Sequence, residues 1–326
     1  MFPRIMLFSI VRGVTVAFAA LLPLLSQGQD FPAKPIRVVS PLPAGVGPEV
    51  EMRQIAARLS KVLGQSVLVE NRPGAGGRIA VNAVITAPAD GYTLLLSSLS
   101  TIIQQYVNKT QPYDMHKELT PVSLMTTSGM ALYVSAGSPY QTLDQFIQAV
   151  KSRSGDVTMG TTGIGAAYHL IGEWFADAAG IQLRFIHYQT SQPYNDVARG
   201  EVSSVFETIL PVFGLVKAGK LRPLAIAGKS RHRQFPEVPT FAEAGYPQFD
   251  PIVYNALSAP AKTPAAIVEK LSAAIAEVVR DPEFFRMSQE RSREVIGSTP
   301  QEAAAFFDRE HAKWSAIVAK TGLRLE

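Results

Sequence analysis

The chain predicts an α/β fold in two lobes, and three observations carry that expectation. Beyond Phe31, short apolar runs alternate with stretches of helical periodicity, the pattern of a mainly parallel sheet wrapped by helices. The rhythm breaks at residues 121–135, where two extended segments (121–125 and 131–135) have no helix between them. It breaks again at residues 237–257, close to Pro236, Pro239, Pro247 and Pro251. Read as two crossings, these stretches give residues 29–130 and 253–326 as one lobe and 131–252 as the other. Such an arrangement leaves a cleft that closes by hinge motion.

The elements follow in order. Residues 36–49 read IRVVSPLPAGVGPE: a strand, a turn of Pro41, Pro43, Ala44 and Gly45, then a helix with Val50, Ile55, Leu59 and Val62 on its apolar face. A strand-loop-helix junction leaves backbone N–H groups at a helix N-terminus, where partial positive charge collects and anions bind. Further strands are expected at 66–70, 92–97, 157–160, 183–187, 202–207 and 224–227, and helices at 49–63, 78–86, 143–151, 168–179 and 209–217. Two amphipathic helices close the chain. Ile267, Leu271, Ile275 and Val278 share one face of the first; Phe307, Trp314, Ile317 and Val318 share one of the second. Thr263-Pro264 and Thr299-Pro300 each set a capping hydroxyl before a first-turn proline, and Glu302 completes a capping box with Thr299.

The first 28 residues differ in character. Arg4 and Arg12 precede an apolar run at 14–25 and small residues at Ser26 and Gly28, the pattern of a secretory signal peptide cleaved after Gly28. The run is shorter than the roughly 20 residues a membrane span needs. Of 31 basic and 27 acidic residues, losing Arg4 and Arg12 leaves 29 against 27, a balance that does not suggest a nucleic-acid surface. The short cluster at 229–233 reads as a solvated loop. With no cysteine, disulfides, thiolate metal sites and thiol nucleophiles are excluded. Export without disulfides points to the bacterial periplasm.

Candidate chemistry is sparse. The run PGAGG at 73–77 follows a strand and precedes a helix, but its third small residue is displaced to Ala80, Asp90 falls on a turn, and no Gly-Lys-Ser/Thr follows. It reads as a structural turn. A secreted enzyme, either a hydrolase or an NAD-dependent oxidoreductase using Gly74–Gly77, would need pyrophosphate contact and a catalytic dyad that is not identifiable. Of five histidines only His169, with Glu173, has metal-like spacing, and on a helix it reads as a packing or hydrogen-bonding group. No Gly-x-Ser-x-Gly elbow and no paired carboxylates of glycosidase type occur. No catalytic group, metal site or cofactor is expected.

What remains is a set of polar loops at the carboxyl ends of strands, where ligands bind in such folds. They are residues 43–47, 97–101, 161–165 and 188–191, with Glu207 and Thr208 after a further strand. Together they offer hydroxyls and main-chain donors to a small polar ligand. Glu207 is the odd member, because a buried carboxylate disfavours a bare anion beside it. It either faces a donor on the ligand or points to solvent.

The chain resembles the Bug-type periplasmic solute-binding proteins, the receptors of tripartite tricarboxylate transporters. The strings that carry the resemblance are PAKPIRVVSPLPAG (32–45), LVENRPGAGGRIA (68–80), PADGYTLLL (88–96), KAGKLRPLAIAG (217–228), EVPTFAEAGYP (237–247), APAKTPAAIVEKL (259–271) and GSTPQEAAAFF (297–307). The resemblance implies a type II periplasmic binding fold, two α/β lobes with a ligand cleft and two inter-lobe crossings. It implies a receptor for a small carboxylate (a dicarboxylate, aromatic acid or amino acid), monomeric, with membrane permease subunits or a sensor kinase as partner. Carried over, the first-loop site is Pro43, Ala44, Gly45, Val46 and Gly47, and the third-strand loop supplies Ser98, Ser100 and Thr101. The second lobe supplies Thr162 and Gly163 from its glycine-rich loop, then His169, Thr190 after Tyr188, and Glu207. Departures from the family pattern are Val46 for a second glycine, Pro48-Glu49 for a Thr-Asp pair, Glu207 for an Asp, and loss of the lysine after Tyr188. They imply a drier, differently shaped pocket.

Overall fold

The computed structural model describes residues 31–45, 47–108, 113–153, 155–188 and 192–325. The expected signal peptide, Val46 and Thr190 lie outside the described residues. The chain first lays down β1 (Ile36–Ser40), α1 (Gly47–Leu63), β2 (Val67–Asn71), α2 (Arg78–Ile85), β3 (Thr93–Ser98), α3 (Leu99–Val107) and α4 (Met115–Glu118). A 17-residue strand, β4 (Leu119–Ser135), follows. Next come α5 (Leu143–Ser152), β5 (Thr158–Thr161), α6 (Ala167–Ala179), β6 (Arg184–His187), α7 (Tyr194–Arg199), β7 (Ser204–Thr208), α8 (Ile209–Lys217) and β8 (Leu221–Ile226). The chain ends with β9 (Ile252–Pro260), α9 (Ala265–Arg280), α10 (Pro282–Glu290), β10 (Glu294–Val295) and α11 (Pro300–Thr321).

β4 organises the molecule. Its first part, through Gly129, pairs with β9 and β10; its second, from Met130, pairs with β7 and β8. The strand order is β2-β1-β3-β9-β4-β7-β5-β6. The expected pair of extended segments is therefore one continuous strand serving two groups of neighbours. Pro121 lies within it, and the register to β9 shifts just after it, where the missing N–H interrupts the ladder. The sheet is mixed rather than mainly parallel. β1, β2 and β3 are parallel to one another, and so are β5, β6 and β7. Every partner of β4 runs against it, as β9 does against β3. The alternation of strands and helices reports only the parallel units; the direction of a long crossing strand is not written in it.

Among the helices, α3, α4, α7 and α10 escaped the sequence reading. Leu99, Ile102, Ile103 and Tyr106 have helical spacing, but the Ser-rich start of this segment reads as loop, because serine competes for the backbone except at a cap. Ser98 sits at that cap. Asp281 caps α10, accepting from the Phe284 N–H at 3.0 Å. At α11 the expected box is present: Glu302 N–H donates to Thr299 Oγ1 at 3.2 Å, and Thr299 N–H donates to Glu302 Oε2 at 2.8 Å. At α9 the expected hydroxyl cap is absent. Pro264 is the cap residue, and the buried Thr263 Oγ1 has no partner among the described residues.

α11 reaches across the fold. Trp314, 1 % exposed, meets Trp174 of α6 edge-on with ring centroids 5.8 Å apart, and Lys320 pairs with Asp177 at 2.5 Å. Three chain segments meet where β4 changes partners. Met130 N–H donates to Pro251 O at 3.0 Å, and Ala227 N–H donates to Met130 O at 2.8 Å. A Cβ on Gly129 would fall 2.3 Å from the Ala227 carbonyl oxygen, a backbone atom that cannot swing away. Gly129→Ala is therefore expected to destabilise the protein by about 1–3 kcal/mol, the usual cost of overpacking. Thermal unfolding by circular dichroism checks it, and an unchanged midpoint contradicts the packing account.

Candidate functional site

The carboxyl ends of β1, β3, β5, β6 and β7 each run into a loop or helix start, and the expected site residues lie on these. In the first loop Gly45 takes φ +87°, with no atom near a would-be Cβ. Its N–H is not open to an external anion: it donates to Glu49 Oε2 at 2.9 Å, and Arg53 Nε donates to Glu49 Oε1 at 2.5 Å. Glu49 is the third residue of α1, so its side chain folds back over the helix start, where negative charge is favoured. It is fully buried. Burial alone would raise its carboxyl, but the Gly45 N–H, the Asn71 amide and the Arg53 guanidinium outweigh that and hold it below the usual value. The helix N-terminus legible in the sequence thus carries its own carboxylate. Pro43 and Ala44 are more open beside it.

At the end of β3 the polar groups form a cap. Ser98 N–H donates to Thr101 Oγ1 at 3.1 Å, whose hydroxyl donates to Ser98 O at 2.7 Å. Ser98 and Ser100 hydroxyls lie 2.9 Å apart. Thr101 is fully buried, and Ser100 is the more open of the three. The glycine run adds close packing here. A Cβ on Gly77 would sit 3.2 Å from Pro41 Cβ and 3.4 Å from Thr101 Cγ2, so the first loop, the glycine turn and the start of α3 touch. Gly74, Gly76 and Gly77 all have positive φ, the backbone of a tight structural turn.

Beyond β4, Thr162 and Gly163 lie in the loop between β5 and α6; Gly163 takes φ +130° and has open space around it. His169, 5 % exposed, holds this loop. Its Nδ1 accepts from Gly165 N–H at 3.1 Å, which places the ring proton on Nε2, 3.4 Å from Glu173 Oε1. This is the hydrogen-bonding role expected of it. Among the described residues no group of three or more ligating side chains is placed to hold a metal. Its ring meets His187 edge-on at 4.7 Å, and Thr161 Oγ1 lies 2.8 Å from His187 Nδ1. Burial and the neighbouring His169 push His187 below the usual imidazole value. Tyr188 donates to Asp196 Oδ2 at 2.6 Å; burial, reinforced by that carboxylate, pushes its phenol up to about 12.

Glu207, the last residue but one of β7, is 5 % exposed, which removes the solvent-facing alternative. Its Oε1 accepts from Thr208 N–H (2.7 Å), Thr208 Oγ1 (3.1 Å) and Tyr168 OH (3.1 Å). Burial pushes the carboxyl up to about 7, against the downward pull of those three donors. Tyr168 was invisible to sequence reasoning. It stands on the second residue of α6, and only the tertiary fold brings that turn to the end of β7.

A buried ionic group lies beside the end of β3. Glu51 of α1 pairs with Arg293, ahead of β10, and accepts from Asn255 Nδ2 of β9. Asn255 is in register with Ser98 on one side and Thr126 on the other. A cavity of about 110 Å³, lined by Met115, His116, Leu119, Phe307, Asp308 and His311 among others, holds none of the expected site residues.

The family model for the tripartite tricarboxylate transporter family receptor matches residues 51–323. BugT of Bordetella pertussis is 33 % identical over 319 residues, covering 97 % of this chain and 98 % of its own. The solved periplasmic binding protein BugD is 27 % identical with a TM-score of 0.76, over 91 % of this chain and 100 % of that one. An R. palustris protein solved with adipate is 29 % identical with a TM-score of 0.78, over 90 % of this chain and 99 % of that one.

Proposed function

This chain belongs to the tripartite tricarboxylate transporter receptor family, whose members are periplasmic solute-binding receptors, and from that premise we propose that it captures a small carboxylate between two lobes. The lobes are residues 29–130 with 253–326, and residues 131–252. The observation that supports this best is that strand-end loops from both groups of parallel strands, which carry hydroxyls and main-chain donors, converge from opposite directions on residues 126–130 of β4. Adipate bound to the R. palustris relative agrees with the ligand class.

In this reading Ser98, Ser100, Thr162 and Gly163 contact the ligand; Val46 and Thr190, outside the described residues, join them on the family resemblance alone. Pro43, Ala44, Gly45 and Gly47 shape the first-loop wall. Thr101 and His169 act by holding their loops. Glu207, its carboxyl raised to about 7, accepts a hydrogen bond from a donor on the ligand or, when protonated, donates one to a ligand carboxylate. Contacts to both lobes favour the closed state, so capture is a population shift. The loaded monomer is presented to permease subunits of a tripartite transporter or to a sensor kinase, after export directed by the N-terminal segment.

Titration calorimetry of the ligand-free protein against adipate, malate, benzoate and aspartate, with glucose as the uncharged control, tests the reading. Saturable binding of at least one acid, weakened tenfold or more by Ser100→Ala with Thr162→Ala, is expected. Binding of glucose alone, or of none of the five, overturns it.

A further inference from the structure

The glycine turn that the sequence sets apart has a second role beyond its tight bend. Gly76 sits at φ +63°, and a Cβ there would fall 2.3 Å from both Cδ and Oε1 of Gln104 on α3. The turn is hollowed to take that side chain. Asn108 Nδ2 donates to Gln104 Oε1 at 3.2 Å, so the amide is oriented with its Nε2 outward. Nε2 donates to Gly165 O at 3.3 Å, in the glycine-rich loop after β5. Gln104 thus follows β3, on the side of the molecule that pairs with the first part of β4, whereas Gly165 follows β5, on the other side.

Gly165 is gripped from three directions. His169 takes its N–H at 3.1 Å, Gln104 takes its carbonyl, and Leu325 covers its Cα: a Cβ there would lie 2.5 Å from Leu325 Cδ1. Leu325 is itself tied to α3 through its N–H, which donates to Val107 O at 2.7 Å. Two of the three contacts therefore come from the far side of the cleft.

We propose that Gln104, seated in the Gly74–Gly77 turn, is a latch across the cleft that grasps the Gly165 peptide and acts beside the contacts of α11 with α6. It is a positioning residue: it sets the balance of open and closed forms, and its amide need not touch ligand. This deepens the receptor reading, since it rests on the two lobes closing, but it can be read without any ligand. The chain has no cysteine, so Lys61→Cys on α1 and Lys151→Cys on α5 give two clean sites for nitroxide labels, both exposed and on opposite sides of β4. Electron–electron resonance then reports the distribution of distances between the lobes.

In the labelled protein Gln104→Ala, Gln104→Glu and Gly76→Ala are each expected to lower the ratio of compact to extended forms about two- to tenfold, the range a lost hydrogen bond gives. Gln104→Lys, which keeps a donor of similar reach, should retain most of the compact form. Melting temperatures separate a latch from a fold defect: Gln104→Ala and Gln104→Glu should both unfold close to the parent. Distance distributions unchanged in these two variants overturn the proposal, whatever the calorimetric panel shows. Failure of every acid to bind, with the distances shifting as expected, overturns the receptor reading and leaves the latch standing.

Discussion

Glu51→Ala is expected to lower stability by about 3–5 kcal/mol, the cost of leaving a buried charge without its partner. Glu51 is 2 % exposed, and the Arg293 side chain it pairs with is 11 % exposed. Asn255 loses its acceptor in the same variant. Without Glu51 the guanidinium stays under the start of α1, where a Cβ on Gly47 would lie 3.5 Å from Arg293 Nη2 and the helix end is already positive. Repulsion adds to the lost pairing. The drop in melting temperature should be roughly 6–20 °C, at about 2–4 °C per kcal/mol for a protein of this size. Replacing both partners, Glu51→Met with Arg293→Met, should recover most of it, because two apolar groups carry no unpaired charge. A single variant melting within a degree of the parent would show that water reaches the pair.

Glu207→Gln is expected to stabilise the protein, and only above mildly acid pH. Burial lifts this carboxyl from 4.5 to about 7 in the folded state, so the native form holds its proton more tightly than the unfolded chain does. Stability from this group is fully present below 4.5 and falls as pH rises towards 7, where the buried carboxyl must ionise. The tighter hold on the proton is worth about 3 kcal/mol, at roughly 1.4 kcal/mol for each tenfold change in proton affinity. Glutamine keeps an acceptor for Tyr168 and Thr208 and carries no charge. At pH 8 the variant should therefore melt several degrees above the parent, with the difference closing by pH 4.5. Calorimetric scans at both pH values decide it; an equal offset at each would place the effect outside the carboxyl's titration. The same variant should also flatten the pH dependence of carboxylate binding if the protonated Glu207 donates a hydrogen bond to the ligand.

How far the sequence reaches is clearest at particular residues. Strands at the starts of parallel units were legible because each is a short apolar run bounded by turn residues, as at Ile36–Ser40 and Arg184–His187. The α11 box at Thr299 and Glu302 was legible because its chemistry lies within four residues. α3 was hidden by the serines that cap it. The direction of β4 and the place of β9 between β3 and β4 were not legible, since pairing of distant segments leaves no local mark. In the candidate site, the strand-end loops and the helix N-terminus after Gly45 could be read directly. The occupation of that terminus by Glu49 could have been found from its place as the third helical residue, a position from which a carboxylate reaches back.

By itself the sequence determined the α/β units, the loops that end them, the absence of thiol chemistry and the family to which the chain belongs, because each depends on spacing within a few residues or on composition. Only the tertiary structure decided that Glu207 is buried beneath Tyr168, that Glu51, Asn255 and Arg293 form one ionic group, and that Gln104 spans to Gly165. Those groups lie up to hundreds of residues apart along the chain. Their charge states and contacts follow from burial and distance, which exist only once β4 has brought the ends of both sets of strands together at its middle.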